Sequence, residues 1–213
     1  MIIFTCLSFL HGNAQSVSLK GGLNLASILE KDNSVIYSND YSYNPGFHLG
    51  LAFDLPVVDW FAIEYGLFVS KKGARLINKT GEVDITTSLN LYYLDLPLIL
   101  KLKKNLSENK KIYFGFGAYT GTGIAGHTRV IGYTQAGAGT NREEIKWGNQ
   151  NKAVLRRMGG GLIFTGGFEI KKYTVGVSYD LGTINVSSYH EVGGIVKNRV
   201  LKLSVGYRFF GKQ

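Results

Sequence analysis

Cysteine, proline and long apolar runs are scarce in this sequence. Cys6 is the only cysteine among 213 residues, which excludes a disulfide-stapled scaffold and a thiolate metal site. There are three prolines, and no segment reaches the ~18 consecutive apolar residues that a membrane-spanning helix requires. The chain instead has 28 glycines, 13% aromatic residues and a net charge of +9. This composition is typical of one domain built of strands and turns.

Apolar residues alternate with small or polar ones over most of the chain. In segment 46–55 the odd positions are Phe47, Leu49, Leu51, Phe53 and Leu55, whereas the even ones are small, polar or charged. Because successive side chains of a strand point to opposite faces, each such segment has one apolar and one polar face. Many short segments of this kind are typical of a transmembrane β-barrel. A soluble lipocalin-like barrel with its bulky face inside fits the alternation equally well.

The first residues favour export from the cytoplasm. The run MIIFTCLSFL over residues 1–10 is followed by the small residues Gly12 and Ala14, as in a cleaved signal, although no Lys or Arg precedes it. We therefore expect a signal peptide over 1–14 and a mature barrel domain over 15–213, without cysteine. The alternative for this run is a buried first strand. Export favours the arrangement with lipid outside the barrel.

Eight strands are predicted, and their connections alternate in length. The predicted strands cover 16–26, 46–55, 60–71, 85–102, 111–123, 156–170, 173–182 and 199–210. Connections after the second, fourth and sixth strands are short, and those after the odd-numbered strands are long, the longest being 125–155. Outer-membrane barrels have short periplasmic turns and long external loops. The prediction is an all-β, eight-stranded antiparallel up-and-down transmembrane β-barrel with both termini on the periplasmic side.

Three local irregularities are predicted within this pattern. The apolar phase changes at Tyr92–Tyr93, which predicts a β-bulge. Pro97 has no backbone N–H to donate, so we expect an interruption of the strand ladder there. Lys171–Lys172 separates two alternating segments and predicts a two-residue hairpin.

Charged residues occur on the face predicted to point inward. A small barrel is filled by side chains, and isolated buried charges are costly, so these residues are expected to pair across the lumen. We expect them to form a structural plug with negligible conductance. The predicted network is Lys20, Asp54, Glu64, Asp95, Lys101, Glu169, Asp180, Lys202 and Arg208.

Several short motifs carry a resemblance to a known family. They are KGGLN at 20–24, GFHLG at 46–50, YLDLPL at 93–98, YDLG at 179–182 and VGYRF at 205–209. Over nearly all of its mature length the chain resembles the PorT-like outer-membrane β-barrels of Gram-negative bacteria. The resemblance implies outer-membrane lipid around the barrel and insertion by the barrel-assembly machinery. It also implies, as an alternative function, an accessory role in a protein secretion system.

Motifs for catalysis and cofactors are weak. The GxGxxG match at 121–126 is followed by no helical periodicity, so we expect a strand end and no nucleotide site. His48 and His127 have no ligand spacing, and neither a metal nor a cofactor is predicted. A polar segment could supply the nucleophile and base of a lipid-modifying enzyme, but neighbouring side chains diverge in an extended chain. That segment is Ser187, Ser188, Tyr189, His190 and Glu191.

The leading hypothesis is a non-enzymatic, monomeric barrel whose external loops contact an envelope or extracellular partner. Nucleic acid is not expected, because the Lys and Arg residues lie mostly in connections and at strand ends. An exposed aromatic among cations suits protein or anionic-glycan contact. The candidate contacts in the predicted loop 125–155 are Arg129, Tyr133, Arg142, Lys146 and Trp147. The secretion accessory, the lipid-modifying enzyme and the soluble lipocalin-like barrel remain as alternatives.

Overall fold

A computed structural model describes residues 15–31, 41–80, 83–134, 137–148, 155–188 and 194–211. Its strands are β1 (Ser16–Lys31), β2 (Tyr41–Ser42), β3 (Asn44–Val58), β4 (Phe61–Thr80), β5 (Val83–Ser107), β6 (Lys110–Thr134), β7 (Gly137–Glu144), β8 (Met158–Ile170), β9 (Tyr173–Gly182) and β10 (Ile195–Phe210). The predicted signal peptide 1–14 lies outside these ranges. Within them, no helix has the length and apolar character needed to cross a membrane.

Eight of the strands close into a ring. The order is β1, β3, β4, β5, β6, β8, β9 and β10, and β10 pairs back with β1. Every pairing between neighbours is antiparallel. The two remaining strands extend the wall at one end, where β2 pairs with β4 and β7 pairs with β6. The predicted eight-stranded antiparallel barrel is confirmed.

The apolar face of each ring strand points away from the barrel. On β5, Leu98 is 55% exposed and Leu102 is also 55% exposed, whereas Lys101 between them is 1% exposed. A soluble barrel would bury its leucines and expose its lysines. The lipocalin-like alternative is therefore wrong, and the exposed apolar band is the lipid-facing surface.

The two ends of the barrel differ. Two-residue turns at Asp59–Trp60, Glu108–Asn109 and Lys171–Lys172 define the short-turn end, where β1 begins and β10 ends. The opposite end, which we call the external end, carries the strand extensions. The length rule of outer-membrane barrels predicts that the short turns face the periplasm.

The predicted irregularities occur where expected. The β5–β6 register shifts between Tyr92 and Tyr93, which confirms the bulge. In the β4–β5 ladder the pair Tyr65–Leu98 is followed by Phe68–Asp95, so Pro97 is left out of the pairing. The Lys171–Lys172 hairpin is also confirmed, with Lys171 at a φ of 54°.

Two predicted loops are wrong, because several strands continue beyond the apolar band. Segment 72–84, predicted as a basic loop, belongs to β4 and β5, which pair as far as Thr80 and Val83. Most of 125–155, predicted as the largest loop, is the rest of β6 and the strand β7. Most outward residues become polar there, so the alternation of outward apolar residues ends although the backbone ladder does not. We call β2, β7 and the ends of β4, β5 and β6 beyond the band the external sheet.

Candidate functional site

The lumen near the short-turn end holds a group of ion pairs centred on Lys101. The Nζ atom of Lys101 lies 3.0 Å from Glu64 Oε2, 3.2 Å from Glu169 Oε1 and 3.5 Å from Asp54 Oδ1. It also lies 4.3 Å from the centre of the Tyr113 ring. Its side chain is almost completely buried, so these carboxylates replace the water that the ammonium has lost.

Two more lysines complete this group. Lys20 donates to Glu64, and Lys103 Nζ lies 2.5 Å from Asp54 and 2.9 Å from Glu169. Three lysines therefore face three carboxylates, and the formal charges cancel. We call this group the basal ion cluster. Its members are Lys20, Asp54, Glu64, Lys101, Lys103 and Glu169.

A second group lies further towards the external end. Lys72 Nζ is 2.8 Å from Asp95 Oδ1, and Lys202 Nζ is 2.5 Å from Asp180 Oδ2. The Lys72 ammonium also lies 4.5 Å from the ring centre of Tyr119, at a distance typical of a cation–π contact. These two lysines and two carboxylates are again balanced, and we call them the central ion cluster.

Neutral polar groups occupy the lumen beside the ion clusters. His48 Nδ1 is 2.7 Å from Asn24 Oδ1, and its Nε2 is 2.9 Å from the Ser204 hydroxyl. The cavity that remains between the clusters measures about 70 Å³. In the part of the chain that the structure describes, no group of three or more His, Cys, Asp or Glu residues could hold a metal ion.

Eight of the nine residues predicted for the lumen network lie in the two ion clusters, Arg208 being the exception. Arg208 is half-buried at the short-turn end, where its guanidinium donates to the Lys171 carbonyl at 3.1 Å. Sequence reasoning missed Lys72 and Lys103, because each follows directly on the predicted end of its strand. Continuing the inward alternation by one residue would have identified both.

An apolar layer separates the central ion cluster from the external end. It consists of Leu91, Tyr93, Leu155 and Val186, all buried, and we call it the apolar floor. Trp147 packs against it, with its ring edge-on to Tyr93 at 5.8 Å. The expectation that Trp147 is exposed is therefore wrong, because its indole is half-buried against this layer, whereas its role as a contact residue stays a prediction.

The glycines of the GxGxxG match are explained by the same packing. They lie within β6, with no helix after them. A Cβ on Gly123 would come within 2.6 Å of the Trp147 ring, and one on Gly121 within 2.3 Å of Asp95 Oδ1. These positions therefore need glycine to admit an indole and a carboxylate.

Three arginines form a row on the outer face of the external sheet. Arg142 on β7 pairs directly with Arg129 on β6. On the next strand, β5, Ser88 pairs with Arg129 on one side and with Arg75 of β4 on the other. Arg129 and Arg142 are exposed, and Arg75 is half-buried. We call Arg75, Arg129 and Arg142 the arginine row.

The other predicted contact and enzyme residues are dispersed. Lys146 is exposed just after β7, and Tyr133 lies on β6 with a side chain outside the description. Ser187 is buried, and the Ser188 hydroxyl donates to the Gly148 carbonyl at 3.1 Å. Residues 189–191 of the predicted nucleophile and base segment, Tyr189, His190 and Glu191, lie outside the described residues.

Solved outer-membrane proteins are among the structures similar to this chain. OprG from Pseudomonas aeruginosa has 16% identity and a TM-score of 0.47, with 93% of this chain and 98% of that chain covered. The attachment invasion locus protein Ail of Yersinia pestis has 14% identity and a TM-score of 0.38, with coverages of 93% and 100%. Neisserial surface protein A has 11% identity and a TM-score of 0.43, with coverages of 92% and 97%. No curated protein matches this chain.

A family model also matches most of this chain. Residues 13–188 match the outer membrane protein beta-barrel domain, which is most of the closed ring described above. The match agrees with the exposed apolar band and the charged lumen. This chain therefore belongs to the outer membrane protein beta-barrel domain family of Gram-negative bacteria.

Proposed function

We propose that this protein is a closed, non-enzymatic and monomeric barrel whose external sheet contacts an anionic partner in the envelope or outside the cell. The observation that carries the proposal is the direct pairing of Arg129 with Arg142 on adjacent strands. Like charges placed opposite each other destabilise a sheet. A bound anion would remove this repulsion.

The surroundings of the pair support the same partner chemistry. The only ion pair in the described residues that involves either arginine is Arg142–Glu144 at 3.5 Å, and both of its side chains are well exposed. Such a surface pair contributes little. Phosphate, sulfate and carboxylate groups match the guanidinium donors that the arginine row presents.

Charge reversal tests the arginine row. The double variant Arg129→Glu and Arg142→Glu is expected to weaken binding of dextran sulfate by about tenfold, equivalent to about 1.4 kcal/mol. Binding is measured with the full chain in phosphatidylcholine nanodiscs, and neutral dextran serves as the uncharged probe. The matched control is Lys104→Glu with Lys110→Glu, two exposed lysines near the short-turn end. Equal weakening by both double variants would show only a loss of net positive charge and would contradict the proposal.

The closed lumen is a separate part of the proposal. The two ion clusters and the apolar floor follow one another along the barrel, and the cavity between the clusters is small. In planar bilayers we expect no stepwise single-channel currents from the wild-type protein. Regular current steps that persist after purification to homogeneity would contradict the proposal that the lumen is closed.

Membership of the PorT-like subgroup and a secretion role are finer predictions. The arginine row is compatible with a secretion-system partner that presents acidic groups. Trapping of secreted cargo in the periplasm after gene deletion would favour the accessory role. Loss of a modified lipid on His190→Ala would instead favour a lipid-modifying enzyme.

A further inference from the structure

The external end of the barrel contains a cavity of about 310 Å³ that none of the functions above uses. It lies above the apolar floor, between the external sheet and the ends of β1 and β10. Leu155 contributes to both, since it belongs to the floor and lines the cavity. Thr128 on β6 and Leu89 on β5 line the cavity. Their chain neighbours Arg129 and Ser88 point to the opposite face, because successive residues of a strand alternate in direction. The cavity and the arginine row therefore lie on opposite faces of the same strands.

The lining of this cavity is mainly aliphatic. Its apolar members are Ile28, Ala74, Leu76, Leu89, Ile145, Leu155 and Val196. Threonine, serine and tyrosine side chains complete the wall. Small-molecule sites of roughly 300 Å³ and above are typically apolar with a few polar groups that orient the ligand. The volume and the lining both fit a small, largely apolar molecule.

Glu30 on β1 is the one charged side chain among the described residues that line the cavity. The Tyr41 hydroxyl donates to Glu30 Oε2. None of the ion pairs that the described residues form involves Glu30. A carboxylate offers about four lone-pair sites, so the Tyr41 bond leaves acceptor capacity on Glu30 for a ligand.

We infer that this cavity binds a small apolar amine, with the alkyl or aryl part against the aliphatic wall and the ammonium at Glu30. The opposite charge attracts the amine and repels a carboxylate of the same size. A neutral alcohol keeps the apolar contacts and loses the ion pair. The inference is independent of the arginine row, which lies on the other face of the sheet.

The test measures binding of n-hexylamine, n-hexanol and hexanoate to the full chain in phosphatidylcholine nanodiscs. Saturation-transfer NMR at pH 7 is recorded against protein-free nanodiscs, which report partitioning into lipid. We expect saturable hexylamine binding, hexanol binding several-fold weaker, and no hexanoate binding above the lipid background. Hexanoate binding as tight as hexylamine binding, or equal signals with and without protein, would overturn the inference.

Two neighbouring residues of β4 give a matched pair of variants. Leu76 lines the cavity, whereas Ile77 is 41% exposed on the other face. Leu76→Trp is expected to weaken hexylamine binding by about tenfold, and Ile77→Trp to leave it within about twofold. Equal effects of the two variants would refute the site. Folding of each variant is checked by its heat-modifiable mobility on gels.

Glu30→Gln tests the same site without adding volume. It keeps the shape of the side chain and removes the charge, so hexylamine is expected to bind no more tightly than hexanol. A preference for the amine that survives in Glu30→Gln would overturn the assignment of the ammonium to this carboxylate. The dextran sulfate assay on the same variant should be unchanged, which separates this inference from the proposed function.

Discussion

Replacing Lys101 with methionine is expected to lower the free energy of unfolding by about 3–5 kcal/mol, the typical cost of removing one partner from a buried ion pair. Lys101 contacts Asp54, Glu64 and Glu169. The two glutamates are buried, and the Asp54 side chain is only 15% exposed. Methionine fills similar space but leaves the basal ion cluster with three carboxylates and two lysines. The remaining charges repel one another in a medium of low dielectric constant.

The measurement is urea unfolding of the protein in lipid vesicles, followed by tryptophan fluorescence. The control is Lys104→Met on the same strand, because Lys104 is exposed and its loss removes no described ion pair. If Lys101→Met unfolds with the same free energy as Lys104→Met, the ion cluster contributes nothing to stability.

The second large effect is expected at Gly73, where β4 enters the external sheet. Its φ is +129°, a conformation almost restricted to glycine, and a Cβ there would lie 2.0 Å from the Leu89 carbonyl oxygen. Because that oxygen belongs to the neighbouring backbone, it cannot move without shifting β5. Gly73→Ala is therefore expected to cost about 3 kcal/mol or more, from backbone strain and steric overlap together.

Gly132 provides the control for this substitution. It lies on β6 in the same external sheet, and an added Cβ would meet nothing within 4 Å. Gly132→Ala should change the free energy of unfolding by no more than about 0.5 kcal/mol. Both variants are compared with wild type by the same urea titration. Comparable losses in the two would mean that the local geometry at Gly73 is not the cause.

The sequence predicted the barrel well where lipid surrounds it. Strand β9 matches its predicted range of 173–182 because every outward residue there is apolar and every inward one is small or polar. The bulge at Tyr92–Tyr93 was predictable for the same reason, since one extra residue in a strongly alternating strand moves all later apolar side chains to the opposite parity.

The alternation of apolar and polar residues failed to predict strands where they extend beyond the lipid. Residues such as Arg75 and Arg129 face outward in regular strands there. Apolar residues such as Leu76 and Leu89 instead face the cavity, so most of the outward apolar residues by which strands were predicted are missing. The external sheet, with its cavity and its arginine row, was therefore predicted as loops. Trp147 was expected to be exposed, but its packing on Tyr93 depends on a tertiary contact that no local pattern encodes.

The hydrogen bonds of His48 connect the two termini of the folded chain. Asn24 on β1 and Ser204 on β10 bind opposite nitrogens of one imidazole ring, and 156 residues separate Ser204 from His48. Lys101 likewise reaches Glu169 across 68 residues. A partly inserted chain would thus carry unpaired charges and polar groups at membrane depth, which lipid disfavours strongly. Insertion and ring closure are consequently coupled, and half-assembled intermediates should be short-lived.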